Sequence, residues 1–113
     1  MNEVKDRKIK VISMAREPIH PGEFLSDELE EIKINATELA RQIGVPANRI
    51  SQIIRGKRDI TADTALRLGR FFGTRPELWL NLQKAYDLDK AKAALGAKIR
   101  KIHCWQPDVH TVG

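Results

Sequence analysis

The hydrophobic residues between positions 20 and 95 recur every three or four residues, the spacing that places side chains on one face of a helix. Glycine and proline interrupt this pattern at intervals that are typical of helix ends. The pattern predicts five helices joined by short connections of about two to five residues, which is normal for a small bundle. We therefore expect an all-α fold.

The first predicted helix begins at the sequence His20-Pro21-Gly22-Glu23. Pro21 suits the first helical position because its missing N–H is not needed there, and Glu23 lies near the positive end of the helix dipole. The residues expected to face inward are Leu25, Leu29 and Ile32. Phe24 is expected at the margin of that face. The acidic residues Glu28, Glu30 and Glu31 are expected to be solvated.

The segment from Asn35 to Arg58 predicts two short helices joined by a tight turn. Asn35 with Glu38 resembles a capping box, Gly44 suits the left-handed conformation that ends a helix, and Pro46 suits the first turn of the next helix. The inward residues are Leu39, Ala40 and Ile43 in the first helix, Val45 in the turn, and Ile50, Ile53 and Ile54 in the second helix, which Gly56 ends. This is the pattern of a helix-turn-helix.

The outer face of the second short helix is polar. At about 100° per residue, Asn48, Gln52 and Arg55 fall opposite the isoleucine stripe. Polar residues on a surface helix often serve only solvation, but this face has no acidic residue and Gly56-Lys57-Arg58 follows it. Amide and guanidinium groups suit base edges in the major groove of DNA. The candidate DNA-binding residues are Ala47, Asn48, Arg49, Ser51, Gln52, Arg55, Lys57 and Arg58. The last two are expected to contact phosphate.

The charge along the chain changes sign at this point. Residues 21–44 carry two basic and six acidic side chains, net −4, whereas residues 45–60 carry four basic and one acidic, net +3. The whole chain has a formal charge of +5. A polyanionic partner is therefore expected to meet the second half of the motif, with the acidic helices turned elsewhere.

Two further helices are predicted after Arg58. Thr61 is expected to cap the fourth helix, which buries Ala65, Leu68 and Phe72, turns Arg67 and Arg70 outward, and ends at Gly73. Thr74-Arg75-Pro76-Glu77 resembles a second capping box. The inward residues of the fifth helix, which is expected to run to about Leu95 and stop at Gly96, are Leu78, Trp79, Leu82, Ala85 and Tyr86. Trp79 and Leu82 are interpreted as core or dimer residues rather than as a chemical site.

The two ends of the chain are less regular than its centre. We divide the chain into an N-terminal arm (1–17), a helix-turn-helix domain (18–96) and a C-terminal tail (97–113). Alternation at residues 9–13 permits either a short strand or a flexible arm. Residues 98–105 are expected to be extended, either as a strand that pairs with residues 8–14 or as a partner-binding tail.

Composition restricts the remaining possibilities. A length of 113 residues with 42% hydrophobic side chains indicates one domain with a small core. The single cysteine, Cys104, excludes an internal disulfide framework, and no apolar run approaches the ~20 residues of a membrane span. With no secretory signal apparent, we expect a cytoplasmic protein. His103, Cys104 and His110 lack an established metal-ligand spacing, so neither metal, cofactor nor catalysis is expected.

The assembled pattern resembles the lambda-repressor-like, XRE-type helix-turn-helix superfamily and, more narrowly, the HigA-type antitoxins of bacterial toxin–antitoxin modules. The resemblance covers roughly residues 18–88. The element Glu38-Leu39-Ala40 with Gly44-Val45 is common to many repressors. Three strings are much more specific: the opening at 20–23, ITADTALRL at 60–68 and ELWLNLQ at 77–83. Pro46 departs from the pattern, since many relatives carry a capping Ser or Thr there.

This resemblance implies a five-helix lambda-repressor-like domain and two binding partners. It implies that the protein neutralises a HigB-type toxin, an endoribonuclease of RelE-like fold that cleaves mRNA. It also implies that the protein represses its own operon by binding a palindromic operator, as a homodimer. The alternative is a stand-alone helix-turn-helix regulator with no toxin partner, and the identity of the adjacent gene separates the two hypotheses.

Overall fold

The computed structural model describes residues 18–107, and every regular element in that range is helical. The helices are α1 (Pro21–Ile32), α2 (Ala36–Ile43), α3 (Ala47–Ile54), α4 (Ala62–Phe72), α5 (Pro76–Leu95) and α6 (Ala97–Arg100). The all-α class and the five predicted helices are confirmed, and α6 is an additional single turn. Within the described range, no helix combines the length and the apolar character needed to cross a membrane.

The core lies where α1 to α5 converge, and it is built mainly from aliphatic side chains. Trp79 is its largest fully buried residue. The Trp79 ring lies 5.4 Å from the ring of Phe24 and 5.6 Å from that of Phe72, centroid to centroid. Its indole N–H donates to the Thr74 hydroxyl at 3.0 Å, so the one polar atom of the ring is satisfied inside the core. Phe24, Phe72 and Trp79 therefore meet at the junction of α1, α4 and α5.

Both ends of α2 follow the sequence signals closely. The Asn35 side chain accepts a hydrogen bond from the Glu38 amide at 2.8 Å. The Glu38 carboxylate is bonded by Arg41 and by Gln42, and these bonds, the one from Arg41 foremost, lower the pKa of Glu38 to about 2. Gly44 has φ 75° and ends α2 in the left-handed conformation. These contacts fix both the start and the end of α2.

The backbones of α1 and α3 approach each other closely at Gly22. A β-carbon added to Gly22 would lie 1.9 Å from the carbonyl oxygen of Ile53. Only glycine permits this contact, because any side chain would overlap the α3 backbone. The start of α1 is thereby held against the end of α3.

His20 caps α1 at the same junction. Its Nδ1 accepts a hydrogen bond from the Gly22 amide at 2.9 Å, and its ring packs edge-on against Tyr86 of α5 with centroids 4.8 Å apart. Burial lowers the pKa of His20, although the nearby carboxylates of Asp59 and Asp87 oppose the shift. The imidazole is therefore neutral near pH 7, and its Nδ1 lone pair is available to the cap.

Gln83 attaches the segment after α3 to the last long helix. Its side-chain oxygen accepts a hydrogen bond from the buried Ile60 amide at 2.7 Å, and its nitrogen donates to Asp87 at 3.0 Å. Gln83 is buried although it is polar, since both ends of its amide are bonded. Sequence periodicity did not identify this contact, because it joins positions 23 residues apart.

Several predictions about α1 were wrong in detail. Phe24 belongs to the core rather than its margin, Glu28 is buried rather than solvated, and Ile32 is 41% exposed rather than inward. The buried stripe therefore runs along one side of the first two turns, and the helix projects past the core before it ends. Glu30 and Glu31 are exposed as predicted.

Other helix-end predictions were also corrected. Thr74 does not cap α5, because its hydroxyl accepts from Trp79, and the residue before α5 is Arg75, with no side-chain cap. Ala85 is exposed, since α5 leaves the core beyond its middle. Of the two alternatives for residues 98–105, the strand is wrong, because Ala97–Arg100 is helical and residues 101–107 form no strand, whereas the partner-binding tail stays a prediction. Its proposed partner, residues 8–14, and the arm at 1–17 lie outside the described residues.

The Gly22 contact gives a stability prediction. We expect Gly22→Ala to destabilise the fold by about 3 kcal/mol or more, since neither backbone can rotate away from the new methyl group. Chemical denaturation monitored by circular dichroism measures this loss.

Gly73→Ala is the matched control for that experiment. Gly73 has φ +73° with nothing within 4 Å of an added β-carbon, so only the backbone strain applies. We expect a loss of about 1–2 kcal/mol there. Equal losses in the two variants would show that the α1–α3 approach is not the restrictive contact.

Candidate nucleic-acid interface

The second helix of the motif, α3, buries one face and exposes the other. Ile50 and Ile53 are fully buried, and Ile54 is half-buried. The structure gathers the eight candidate residues on the outer face of α3 and the turn that follows it. Ala47, Asn48, Arg55, Lys57 and Arg58 are exposed, and Arg49, Ser51 and Gln52 are half-buried. All eight therefore lie outside the core.

Pro46 forms the entry to α3. It has extended backbone geometry with φ −62° and ψ 145°, and the helix begins at Ala47. Pro46 is therefore the residue before the helix rather than a residue of its first turn, which corrects the sequence interpretation by one position. It supplies no side-chain cap, so α3 is located by its packing and by contacts from other helices.

Arg49 is engaged by the protein itself. Its guanidinium lies 2.8 Å from the Asp63 carboxylate at the start of α4, and Asp63 also accepts from Arg67 at 3.0 Å. The hydrogen bond from Arg67, together with that from Arg49, lowers the pKa of Asp63. Of the candidate residues, Arg49 is thus the one whose charge is balanced by an acidic partner in the described structure.

Arg67 holds the turn between α2 and α3. One of its terminal nitrogens donates to the Ile43 carbonyl at 2.7 Å and to the Gly44 carbonyl at 3.3 Å. These carbonyls lie at the end of α2, where no further helical amide follows to bond them. Arg67 was predicted to point outward. It is exposed, but its guanidinium returns to the motif and locks the angle between the two helices.

Arg58 also returns to α3. Its Nε donates to the side-chain oxygen of Gln52 at 2.9 Å, six residues earlier in the chain. The Ser51 hydroxyl bonds the Asn48 carbonyl at 3.3 Å and so stays on the helix surface. The outer face of α3 therefore presents a cationic and amide surface whose side chains are partly fixed before any partner binds.

The histidine and cysteine side chains of the tail are the other candidates for chemistry. Within 18–107, no group of three or more His, Cys, Asp or Glu side chains is close enough to hold a metal ion. His103 and Cys104 are exposed in the tail. His110 lies outside the described residues.

Comparisons with known proteins match this architecture. A family model described as helix-turn-helix, HTH_3, matches residues 25–79. The virulence-associated protein I of Dichelobacter nodosus is 51% identical over 75 residues, which is 66% of this chain and 69% of that protein.

Solved structures give the same result over more of the chain. A HigA-family addiction module antidote protein from Coxiella burnetii superposes with a TM-score of 0.77 and 50% identity, covering 79% of this chain and 99% of that one. The Pseudomonas aeruginosa antitoxin HigA, solved with the higBA promoter, gives a TM-score of 0.75 and 46% identity, covering 80% and 100%.

Proposed function

Since this chain belongs to the DNA-binding helix-turn-helix family that includes the HigA antitoxins, we propose that it neutralises a HigB-type ribonuclease toxin and represses its own operon. Its DNA target is then a palindromic operator bound by a homodimer. Both activities belong to the cytoplasm. They are binding functions, and we assign the chain no catalysis, cofactor or metal.

The outer face of α3 carries the DNA-binding part of the proposal. It combines exposed Asn48 and Arg55 with half-buried Gln52, and no acidic residue lies between positions 45 and 58. Asn, Gln and Arg side chains read base edges, whereas Lys57 and Arg58 follow where a phosphate backbone would pass. The Pseudomonas antitoxin was solved with promoter DNA, which supports the same use of the motif here.

We assign the domains accordingly. Residues 18–96 form the helix-turn-helix unit, residues 1–17 are an arm, and residues 97–113 are a tail.

Arg49 is a candidate DNA contact that must first release Asp63, since the two side chains are paired at 2.8 Å.

The DNA face is tested by separating base readout from phosphate contact. The triple variant Asn48→Ala, Gln52→Ala, Arg55→Ala is expected to lose sequence preference, because each base-reading side chain contributes about 1–3 kcal/mol of discrimination. Lys57→Ala is expected to weaken binding to all DNA sequences by the same factor. It should also reduce the slope of log affinity against log salt concentration by about one. Fluorescence anisotropy titrations against operator and scrambled duplexes measure both effects.

Arg70→Ala is the matched control, since it removes one exposed cation from α4 rather than from the motif. It should leave both affinity and preference unchanged. Operator binding by the triple variant at wild-type strength would refute the assignment of α3.

The second half of α5 and the tail form the proposed dimer surface. Five large hydrophobic residues are exposed along them: Leu88, Leu95, Ile99, Ile102 and Trp105. Leu88 and Leu95 are seven residues apart and therefore share one side of the helix. A second copy of the chain would bury this stripe, and two copies would present two recognition helices to half-sites about one helical turn, ~34 Å, apart.

The dimer surface is tested by placing charge on that stripe. Leu88→Glu with Leu95→Glu is expected to give a monomer in light scattering and to weaken binding of the full palindrome more than of one half-site. Ala93→Glu is the control, because Ala93 is exposed on the other side of α5 and should not change the mass. A wild-type protein that stays monomeric with and without DNA would contradict the homodimer.

The acidic part of the chain is the proposed toxin-facing side. A ribonuclease must attract a polyanion and therefore carries a cationic active surface. Residues 21–44 have a net charge of −4, and the exposed Glu30 and Glu31 lie on α1, away from the cationic turn after α3. Charge complementarity thus favours toxin contact through α1 and DNA contact through α3.

Coexpression with the product of the adjacent gene tests the toxin proposal. We expect the two proteins to copurify and the chain to restore growth that the toxin arrests. The triple variant of α3 is the control, since it should still restore growth after losing the operator. If no adjacent product binds while operator binding persists, the stand-alone regulator is the correct function.

A further inference from the structure

The contact between Arg58 and Gln52 fixes the orientation of an amide on the proposed reading face. Arginine carries only hydrogen-bond donors, so the group of Gln52 that faces Nε of Arg58 at 2.9 Å is the oxygen, Oε1. The nitrogen end of the amide is therefore the end that Arg58 does not engage. The remaining donors of Arg58 lie on the same guanidinium.

The backbone around Gly56 brings Arg58 to this position. Gly56 has φ +76°, its amide donates to the Ile53 carbonyl at 2.9 Å, and the Lys57 amide donates to the Gln52 carbonyl at 2.8 Å. These two bonds form the Schellman arrangement, which reverses the chain at the end of α3. The His20 side chain lies near this reversal, since a β-carbon added to Gly56 would lie 3.8 Å from the imidazole. The Arg58–Gln52 bond therefore extends from an ordered turn.

The bond changes which base the pair can recognise. A free glutamine pairs with adenine by accepting from its amino group and donating to N7. In this chain one of the two lone pairs of the accepting oxygen is already engaged by a charged donor, and charge-assisted bonds are the stronger kind. Gln52 and Arg58 together present mainly N–H donors. Guanine offers two neighbouring acceptors, O6 and N7, in the major groove, whereas adenine places a donor beside its N7.

We infer that Gln52 and Arg58 act as one donor unit that selects guanine over adenine at one position of each operator half-site. Arg58 is then a positioning and specificity-determining residue rather than a phosphate contact. This inference rests on the proposed DNA-binding function. It differs from the simpler assignment in which Arg58 and Lys57 both neutralise phosphate.

The test uses the full chain and a set of duplexes in which each base pair of the operator half-site is replaced in turn. Affinities are measured for the wild type and for Arg58→Ala, Gln52→Ala, the double variant and Lys57→Ala. Circular dichroism verifies the fold of each variant. Arg58→Lys is included because a lysine ammonium can also donate to the glutamine oxygen.

The wild type is expected to prefer guanine over adenine at one base pair by about tenfold, which is about 1.4 kcal/mol. Arg58→Ala should remove or reverse this preference at that base pair and leave the preferences elsewhere unchanged. The double variant should lose no more of the guanine preference than Gln52→Ala alone loses, because the two residues act as one unit and their effects do not add. Arg58→Lys should retain part of the guanine preference that Arg58→Ala loses. Lys57→Ala should weaken binding to all duplexes by the same factor.

Two outcomes would overturn the inference separately from the proposed function. If Arg58→Ala weakens every duplex by the same factor as Lys57→Ala, Arg58 is a phosphate contact. If Gln52 selects adenine in the wild type, its oxygen is released on binding. A wild-type chain with no sequence preference at all would overturn the proposed function and this inference with it.

Discussion

The close approach of the α1 and α3 backbones at Gly22 determines how α3 is presented. An added β-carbon would lie 1.9 Å from the Ile53 carbonyl oxygen, so the two helices are nearer than side chains would allow. The contact lies at the end of α3, next to the chain reversal at Gly56, and the His20 side chain bonds Gly22 and lies near Gly56. One steric requirement therefore sets the angle of α3 and the position of the cationic turn that follows it.

Long-range polar contacts complete the positioning of the motif. Arg67 of α4 bonds the carbonyls that end α2, and Gln83 of α5 bonds the Ile60 amide after α3. The first bond is partly buried and the second is buried at the edge of the core, and each satisfies a backbone group that helical hydrogen bonding leaves without a partner. The two outer helices thus hold the motif from behind and leave the outer face of α3 open.

The sequence predicted the helices well because their signals are local. Asn35, Gly44 and Thr61 act on amides or dihedral angles within a few residues, and the structure places each at the expected helix end. It predicted less of what depends on tertiary packing. Glu28 is polar and was assigned to solvent, but the position is buried, and periodicity carries no information on how far a helix extends past the core. The exposure of the outer face of α3 was predictable. The bonds from Arg49 to Asp63 and from Arg58 to Gln52 were not, because the path of the intervening turns decides whether these side chains meet.

The two tryptophans of the chain have opposite surroundings. Trp79 is 0% exposed among the core helices, whereas Trp105 is 81% exposed in the tail. Indole emission shifts to longer wavelengths in water, so the fluorescence of the native chain is the sum of a blue component and a red one. A water-soluble quencher such as iodide reaches only the red one. The unlabelled chain therefore carries one optical reporter of its packing and a second, separable reporter of what covers its tail.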